Sequence, residues 1–394
     1  MGLGYIGLPT AALIASKGLN VTGVDISQHV VDTINQGKIH IVEPELDGLV
    51  HYVVKEGYLK AATKPIMANV YLIAVPTPFK DNHVPDLSYV ESAVKNIIPT
   101  LQKGALVILE STSPVGTTHK IQELIFKERP DLKGEIFIAY CPERVLPGNV
   151  IYELEQNDRA IGGIDDESTE KAVWFYKHFV KGELHKTNSQ TAEMCKLVEN
   201  SSRDVQIAFA NELSMICDKA NINVWELIRL ANKHPRVNIL QPGTGVGGHC
   251  IAVDPWFIVS EFPEESKIIR SAREINNYKT EWAIEKVKNT ALQFKIEHGR
   301  DAVIACMGLA FKPNIDDLRE SPALRVSQQL DADGFNVLFV EPNLNSHDQF
   351  KLTSLTEAKN ICDIMVFLVA HKEFKGLNGE IQMQVLDFCG IINK

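Results

Sequence analysis

Gly2-Leu-Gly-Tyr-Ile-Gly7 is followed by Pro9-Thr-Ala-Ala-Leu-Ile-Ala15, by Lys17-Gly18 and by Asn20-Val-Thr-Gly-Val-Asp25. A glycine loop, a helix and a strand ending on an acid stand here in register. Where Gly-x-Gly-x-x-Gly joins a first strand to a first helix, the first glycine makes the tight turn. The second lets a pyrophosphate approach the backbone, and the third lets helix and sheet pack closely. Pro9 is tolerated in a first turn, and Gly18 is a suitable stop. Asp25 lies about 20 residues past the glycines, where a carboxylate accepts from the adenosine ribose and repels a 2′-phosphate. Gly2, Gly4, Gly7 and Asp25 therefore predict an NAD site. The chain opens at Met1, directly ahead of Gly2, where a buried apolar strand ordinarily precedes the loop. The expectation is a first domain without its first strand, an exposed groove between neighbouring strands and weak binding of NAD.

Outward from this stretch the β/α alternation continues. Val70–Val75, Ala105–Glu110 and Ile136–Tyr140 read as buried strands, ending in Pro76-Thr77-Pro78, Ser111-Thr112-Ser113-Pro114 and Cys141-Pro142-Glu143-Arg144. Ligands of open α/β sheets bind beyond the carboxyl ends of the strands, which places Thr77, Thr112 and Glu143 on one rim. Turn formation alone would also account for them. Residues 191–220 contain no helix breaker and read as one helix on the order of 40 Å long. Lys196, Asn200 and Arg203 fall at i, i+4 and i+7 on one stripe. Their apolar neighbours suggest a polar patch that faces a cleft rather than a solvated face.

The loop Gly243-Thr-Gly-Val-Gly-Gly-His-Cys-Ile-Ala-Val-Asp254 follows. Its glycines let backbone amides approach a sugar or an oxyanion. Cys250, framed by these glycines and by Asp254, reads as a reactive thiol rather than a buried structural one. Val303–Lys312 is a strand running into a glycine turn, and Asn336–Glu341 and Ile364–Val369 are further strands. They form a second, smaller α/β sheet with Lys312 and Arg319 at its ligand edge. A dinucleotide cofactor and a nucleophilic cysteine together point to an oxidation that passes through a thioester to a carboxylate.

At 394 residues the chain exceeds one ordinary core, so two or three domains are expected. The boundaries read as 1–190 for an NAD-binding domain, 191–295 for a central helical dimerisation and catalytic domain, and 296–394 for a nucleotide-sugar-binding domain. The fold class is α/β: two Rossmann-like parallel-sheet domains joined by a long central helix in an all-helical middle domain. A net charge of −10 argues against general affinity for nucleic acid and leaves room for a local phosphate pocket. No apolar run approaches the roughly 20 residues that span a bilayer, and no signal peptide is read. The seven cysteines are scattered without a CxxC pair, so neither a disulfide framework nor a zinc site is expected. The composition suits a cytoplasmic protein with reduced thiols.

Gly-Leu-Gly-Tyr-Ile-Gly-Leu-Pro, Ser-Thr-Ser-Pro-Val-Gly, Cys-Pro-Glu-Arg, Glu-Met-Cys-Lys-Leu-x-Glu-Asn, Gly-Gly-His-Cys and Phe-Lys-Pro-Asn-x-Asp-Asp-x-Arg-Glu-Ser, in this order, resemble the UDP-glucose/GDP-mannose dehydrogenase family along essentially the whole chain. His234–Gly243 and Gly248–Phe257 are most similar to members acting on UDP-N-acetyl-D-mannosamine. The resemblance implies oxidation of the sugar C6 alcohol to a carboxylate with two NAD per turnover. It also implies products that feed bacterial surface polysaccharides such as enterobacterial common antigen. Cys250 would be the nucleophile, with Lys196 and Asn200 stabilising an oxyanion and Lys196 serving as first base if desolvation lowers its pKa. Glu143 or Asp254, through Thr112, would order the hydrolytic water. Tyr5, Ile6, Thr77, Thr112 and Arg319 would complete the NAD site. Arg144, Val145, Lys196, Asn200, Arg203, His234, Arg236, Gly247, Phe311 and Lys312 would contact the UDP-sugar. His234 and Arg236 would reach across a homodimer interface. Three other readings stay open: UDP-glucose or UDP-N-acetylglucosamine as substrate, a non-catalytic nucleotide-sugar binder, and a two-electron alcohol dehydrogenase with a structural Cys250.

Overall fold

The computed structural model describes residues 1–394 except 42, 81–83, 146–147, 249, 378–382 and 393–394, so His249 of the cysteine loop lies outside the described residues. Two units divide the chain, Met1–Glu199 and Asn200–Lys394. In the first, α1 (Gly7–Ser16), β1 (Val21–Val24), α2 (Gln28–Asn35), α3 (Leu46–Lys55) and β2 (Leu59–Ala62) form the opening part. β3 (Val70–Ile73), α4 (Ser88–Ile97), β4 (Leu106–Leu109), α5 (Thr117–Glu128) and β5 (Phe137–Tyr140) come next. α6 (Val150–Gln156), β6 (Arg159–Gly163), α7 (Asp166–Tyr176), β7 (Leu184–Asn188) and the long α8 (Ser189–Ala220) complete the series. The division between the units falls inside α8.

Strands β3-β4-β5-β6-β7 make one sheet, parallel except where β6 runs against β5. β4 is apolar at every position because both of its faces are covered. Val107 and Leu109 share a core with Tyr71, Val94 and Ile121, whereas Leu106 and Ile108 share one with Leu13, Val173 and Tyr176. β1 and β2 form a separate parallel pair, packed with Leu8, Val31, Ile34 and Val50 of α1 to α3.

The strands of this unit fall into two sheets. Between them runs the backbone of Met1 and Gly2. Met1 N donates to Leu72 O at 2.7 Å, Ala74 N to Met1 O at 2.9 Å and Gly2 N to Val24 O at 2.8 Å.

The second unit contains α9 (Val224–Ala231), α10 (Asp254–Glu261), α11 (Lys267–His298), β8 (Val303–Met307), α12 (Pro322–Ala332), β9 (Asn336–Val340), α13 (Leu355–Ile361), β10 (Ile364–Phe367) and β11 (Gln384–Asp387). Its sheet, in the order β11-β10-β8-β9, is wholly parallel. Ile304 and Cys306 face a core shared with α11 and α12, while Ala305 and Met307 face Ala358 and Phe374. This is the second α/β sheet expected from the apolar runs. Just past β9, the buried Glu341 accepts from Leu309 N at 2.7 Å and Ala310 N at 3.0 Å, with His371 Nε2 at 3.0 Å. Burial opposes its charge, but these bonds and one from Asn343 N hold its carboxyl down at about 2.

All seven cysteines are free thiols. Among the described residues no helix is long and apolar enough to cross a membrane.

α1 begins at Gly7, where a methyl group would run into the Gly2 carbonyl. Gly7→Ala is expected to lower stability by about 1–3 kcal/mol, the usual range for overpacking. Urea unfolding and an NADH titration would check it; an unchanged midpoint would show that the loop can yield.

Candidate active site

The glycines of the first loop differ in their surroundings. Gly2 sits at φ +86, where a side chain is strained and would also meet the Ala74 carbonyl. Gly4 is exposed, and nothing lies within 4 Å of where its Cβ would be. Tyr5, half exposed, and Ile6 lead into α1. The first turn of that helix carries no acid, so its amide dipoles favour an anion. Asp25 accepts from Leu3 N through Oδ2 at 3.0 Å and from Ser27 N through Oδ1 at 2.9 Å. The open flank of Gly4, the α1 N-terminus and the carboxylate at the end of β1 fit a dinucleotide.

Thr77, Thr112 and Glu143 follow the carboxyl ends of β3, β4 and β5. These ends are in register, Ile73 beside Leu109 and Leu109 beside Tyr140, so the three residues share one edge. Thr77 and Thr112 are half-buried. Glu143 is 8% exposed, and its Oε1 has no hydrogen-bond partner among the described residues. Burial pushes its pKa up, against the opposing charges of Lys196 and Arg159. Lys196 is half-buried on α8. Arg144 is exposed and engages Glu199 through Nη2 at 2.7 Å and Nε at 3.2 Å; Val145 beside it is half-buried.

Two groups in this unit were missed in the sequence. Glu193, one turn before Lys196, is fully buried and accepts from Gly116 N at 2.6 Å and from Thr118 N at 2.7 Å. It fastens the Thr112–Gly116 loop and the start of α5 to α8. Its i, i+3 spacing from Lys196 was the available signal. The second is a buried cluster in which Tyr176 donates to Glu110 at 2.5 Å, and Arg159 stacks over the Tyr176 ring at 5.3 Å. Burial raises the Glu110 carboxyl and pushes the Cys141 thiol up to about 11, so Cys141 is inert.

In the second unit Cys250 is half-buried, and its carbonyl accepts from Val253 N at 2.9 Å and Asp254 N at 2.8 Å. Asp254, the first residue of α10, is 3% exposed and receives Asn200 Nδ2 at 2.6 Å. Upstream, Gly243 N donates to Asn211 Oδ1 at 2.9 Å, and Asn211 Nδ2 donates to Asn276 Oδ1 at 2.9 Å. Asn276 Nδ2 reaches Asp204 Oδ1 at 2.8 Å, and Asp204 pairs with Arg273 at 2.6 Å, both buried. Thr244 Oγ1 donates to Leu368 O at 2.8 Å, and Gly248 N to Arg319 O at 3.1 Å.

The loop glycines were expected to let backbone approach a ligand. At Gly247 and Gly248 they let it approach protein: a Cβ on Gly247 would run into the Glu320 carbonyl, and one on Gly248 would stand 2.9 Å from the Phe311 ring. Phe311 is thereby brought against the cysteine loop, with Lys312 exposed beside it. Arg319 is held on Asp317 through Nη2 at 2.6 Å. Arg203, His234 and Arg236 are exposed, and His234 Nδ1 accepts from Arg236 N at 3.3 Å. No hydrogen bond recorded among the described residues joins these three side chains to the cysteine loop.

Residues 1–180 match the NAD binding domain of the UDP-glucose/GDP-mannose dehydrogenase family, 190–278 its central domain and 305–392 its UDP binding domain. The chain belongs to this family of NAD-dependent nucleotide-sugar dehydrogenases. It is 55% identical over 411 residues to the UDP-N-acetyl-D-mannosamine dehydrogenase of Escherichia coli K12, spanning 99% of this chain and 98% of that protein. It is 54% identical over 391 residues to the NDP-N-acetyl-D-galactosaminuronic acid dehydrogenase of Ralstonia nicotianae, spanning 96% of this chain and 91% of that one. Among solved structures, the UDP-D-ManNAc dehydrogenase of Pyrococcus horikoshii superposes with a TM-score of 0.87 at 38% identity, over 100% of this chain and 95% of the other.

The Asp204–Arg273 pair yields a stability test. Arg273→Met leaves Asp204 buried without its partner and is expected to cost about 3–5 kcal/mol. Asp204→Leu in the same chain should recover most of the loss, as read from urea midpoints. Equal midpoints for wild type and Arg273→Met would show that the pair does not support the loop.

Proposed function

We propose that the protein oxidises the C6 alcohol of UDP-N-acetyl-D-mannosamine to the carboxylate, giving UDP-N-acetyl-D-mannosaminuronate for surface polysaccharide synthesis in the cytoplasm. The observation that carries this reading is Cys250, a half-buried thiol in a loop tied at both ends, in a chain whose first 180 residues match an NAD binding domain. NAD bound along the glycine loop, at Gly2, Gly4, Tyr5, Ile6, Gly7, Asp25, Thr77, Thr112 and Arg319, supplies the hydride acceptor for both oxidations.

In the first oxidation the C6 carbon loses a hydride, and its hydroxyl proton passes to Lys196. Cys250 Sγ adds to the aldehyde, forming a C–S bond. Asn200 and the protonated Lys196 stabilise the oxyanion of this thiohemiacetal. Loss of a second hydride leaves a thioester. Water adds to it as Glu143 accepts a proton, Cys250 departs as thiolate, and Thr112 and Asp254 orient the water and Asn200. Arg144, Val145, Arg203, Gly247, Phe311 and Lys312 bind the nucleotide sugar, with Arg144 exchanging Glu199 for substrate. His234 and Arg236 serve the site of a second subunit in a homodimer. The domain limits that suit this division of labour are 1–190, 191–295 and 296–394.

A second reading, favoured by the name of the Ralstonia relative, is the N-acetylgalactosamine epimer. The test is to incubate the protein with NAD and a panel of UDP-sugars and count NADH per sugar. Two NADH with UDP-N-acetylmannosamine alone is the expected result. One NADH would reduce Cys250 to a structural role, and turnover of another sugar would reassign the substrate. Cys250→Ser should cut acid formation by about a thousandfold or more.

Glu143 also gives a pH prediction. A general base acts when ionised, so kcat rises with pH through its pKa, and burial places that above the ordinary range. The acid limb of kcat is expected above the value of about 4.3 usual for glutamate. A limb at or below that value would remove Glu143 from the role.

A further inference from the structure

In the second unit a cavity of about 450 Å³ opens beside Trp225 of α9 and Trp282 of α11, apart from the residues assigned above. Ser214 and Asp218 of α8, Lys279 of α11 and Phe388 after β11 complete the part of its wall that matters. Its volume lies within the range of sites for small organic molecules.

Lys279 is the unusual member. Its side chain is 2% exposed, and its ammonium donates to Ser214 Oγ at 2.9 Å and lies 3.8 Å from the centroid of the Trp282 ring. Among the described residues no carboxylate lies within ion-pairing distance of it. Asp218, the acid whose charge it feels, is bonded to Lys286 at 2.8 Å. Burial drives the Lys279 pKa down to about 7, with Asp218 opposing. A lysine that only filled space here could be replaced by an apolar side chain without loss, because a buried cation lacking an anion is costly. A hydroxyl and a ring face meet part of its need for a partner; an oxyanion in the cavity would meet the rest.

We propose that this cavity binds a small organic oxyanion whose charged group pairs with Lys279 Nζ and whose flat apolar body lies against Trp225, Trp282 and Phe388. Trp225 and Trp282 line it, so tryptophan fluorescence reports occupancy.

The test titrates the full chain with benzoate, phenyl phosphate and benzyl alcohol, in the presence of saturating NAD and UDP. A saturable fluorescence change with either anion, absent with the alcohol, is expected, and the two anions distinguish carboxylate from phosphate ligands. Lys279→Met should melt no lower than wild type, since it removes a buried charge, yet bind the anion at least about tenfold more weakly. Lys279→Gln serves as a second variant should the first fail to fold. The proposal is overturned if neither anion gives a saturable change in wild type, if NAD and UDP abolish it, or if the folded variants respond as wild type does.

Discussion

The cysteine loop hangs from a line of buried amides. Arg273 holds Asp204, Asp204 orients Asn276, Asn276 orients Asn211, and Asn211 receives the first amide of the loop at Gly243. Each asparagine uses its NH₂ on one neighbour and its carbonyl on the next, so reversing one amide would set donor against donor along the line. The arrangement therefore has one low-energy state, and the backbone path to Cys250 inherits it. At the far end, Asp254 fixes Asn200 from the first turn of α10. The proposed nucleophile would owe its placement to these buried groups.

Five acids near the two proposed sites and turns fall into two kinds. Asp25, Glu193, Asp254 and Glu341 each accept bonds from the protein and act as fasteners of a loop or helix end. Glu143 is buried with an oxygen unpartnered among the described residues and a raised pKa. The same residue type can thus be held firmly or left poised, because surroundings decide which. The Glu341 bonds to Leu309 and Ala310 repeat, in the second sheet, the bond from Leu3 to Asp25 in the first. Asp25 follows β1 and Glu341 follows β9, and each clamps the turn just past a glycine, Gly2 or Gly308.

What could be read in the chain follows from how fully each element is buried. β4 and β10, covered on both faces, were plain as apolar runs, and the uninterrupted stretch that became α8 was plain from the lack of breakers. β7, Leu-His-Lys-Thr-Asn with its exposed positions, carries no such run, and β6 contains two glycines and a buried arginine. α11, read only as part of an all-helical middle domain, lacks a clear period of its own: Arg273, Asn276, Lys279 and Thr280 occupy buried positions where apolar residues would mark it. Cys250, Asp254 and the glycine loop could be picked out because their sequence pattern is local. That Glu320 and Phe311 also pack against the glycines at 247 and 248 could not be read, since they lie some 70 residues away in the chain. The cluster of Glu110, Tyr176 and Arg159 was invisible for the same reason.

Asp25 bears on how this chain could evolve. The carboxylate proposed to discriminate against a 2′-phosphate also carries the amides of Leu3 and Ser27. A lineage drifting toward NADP would have to discard that acid, and in doing so would release two backbone donors and slacken the turn on which any dinucleotide rests. Cofactor preference is thus welded to local architecture, and a switch needs a compensating change nearby before the first step becomes tolerable.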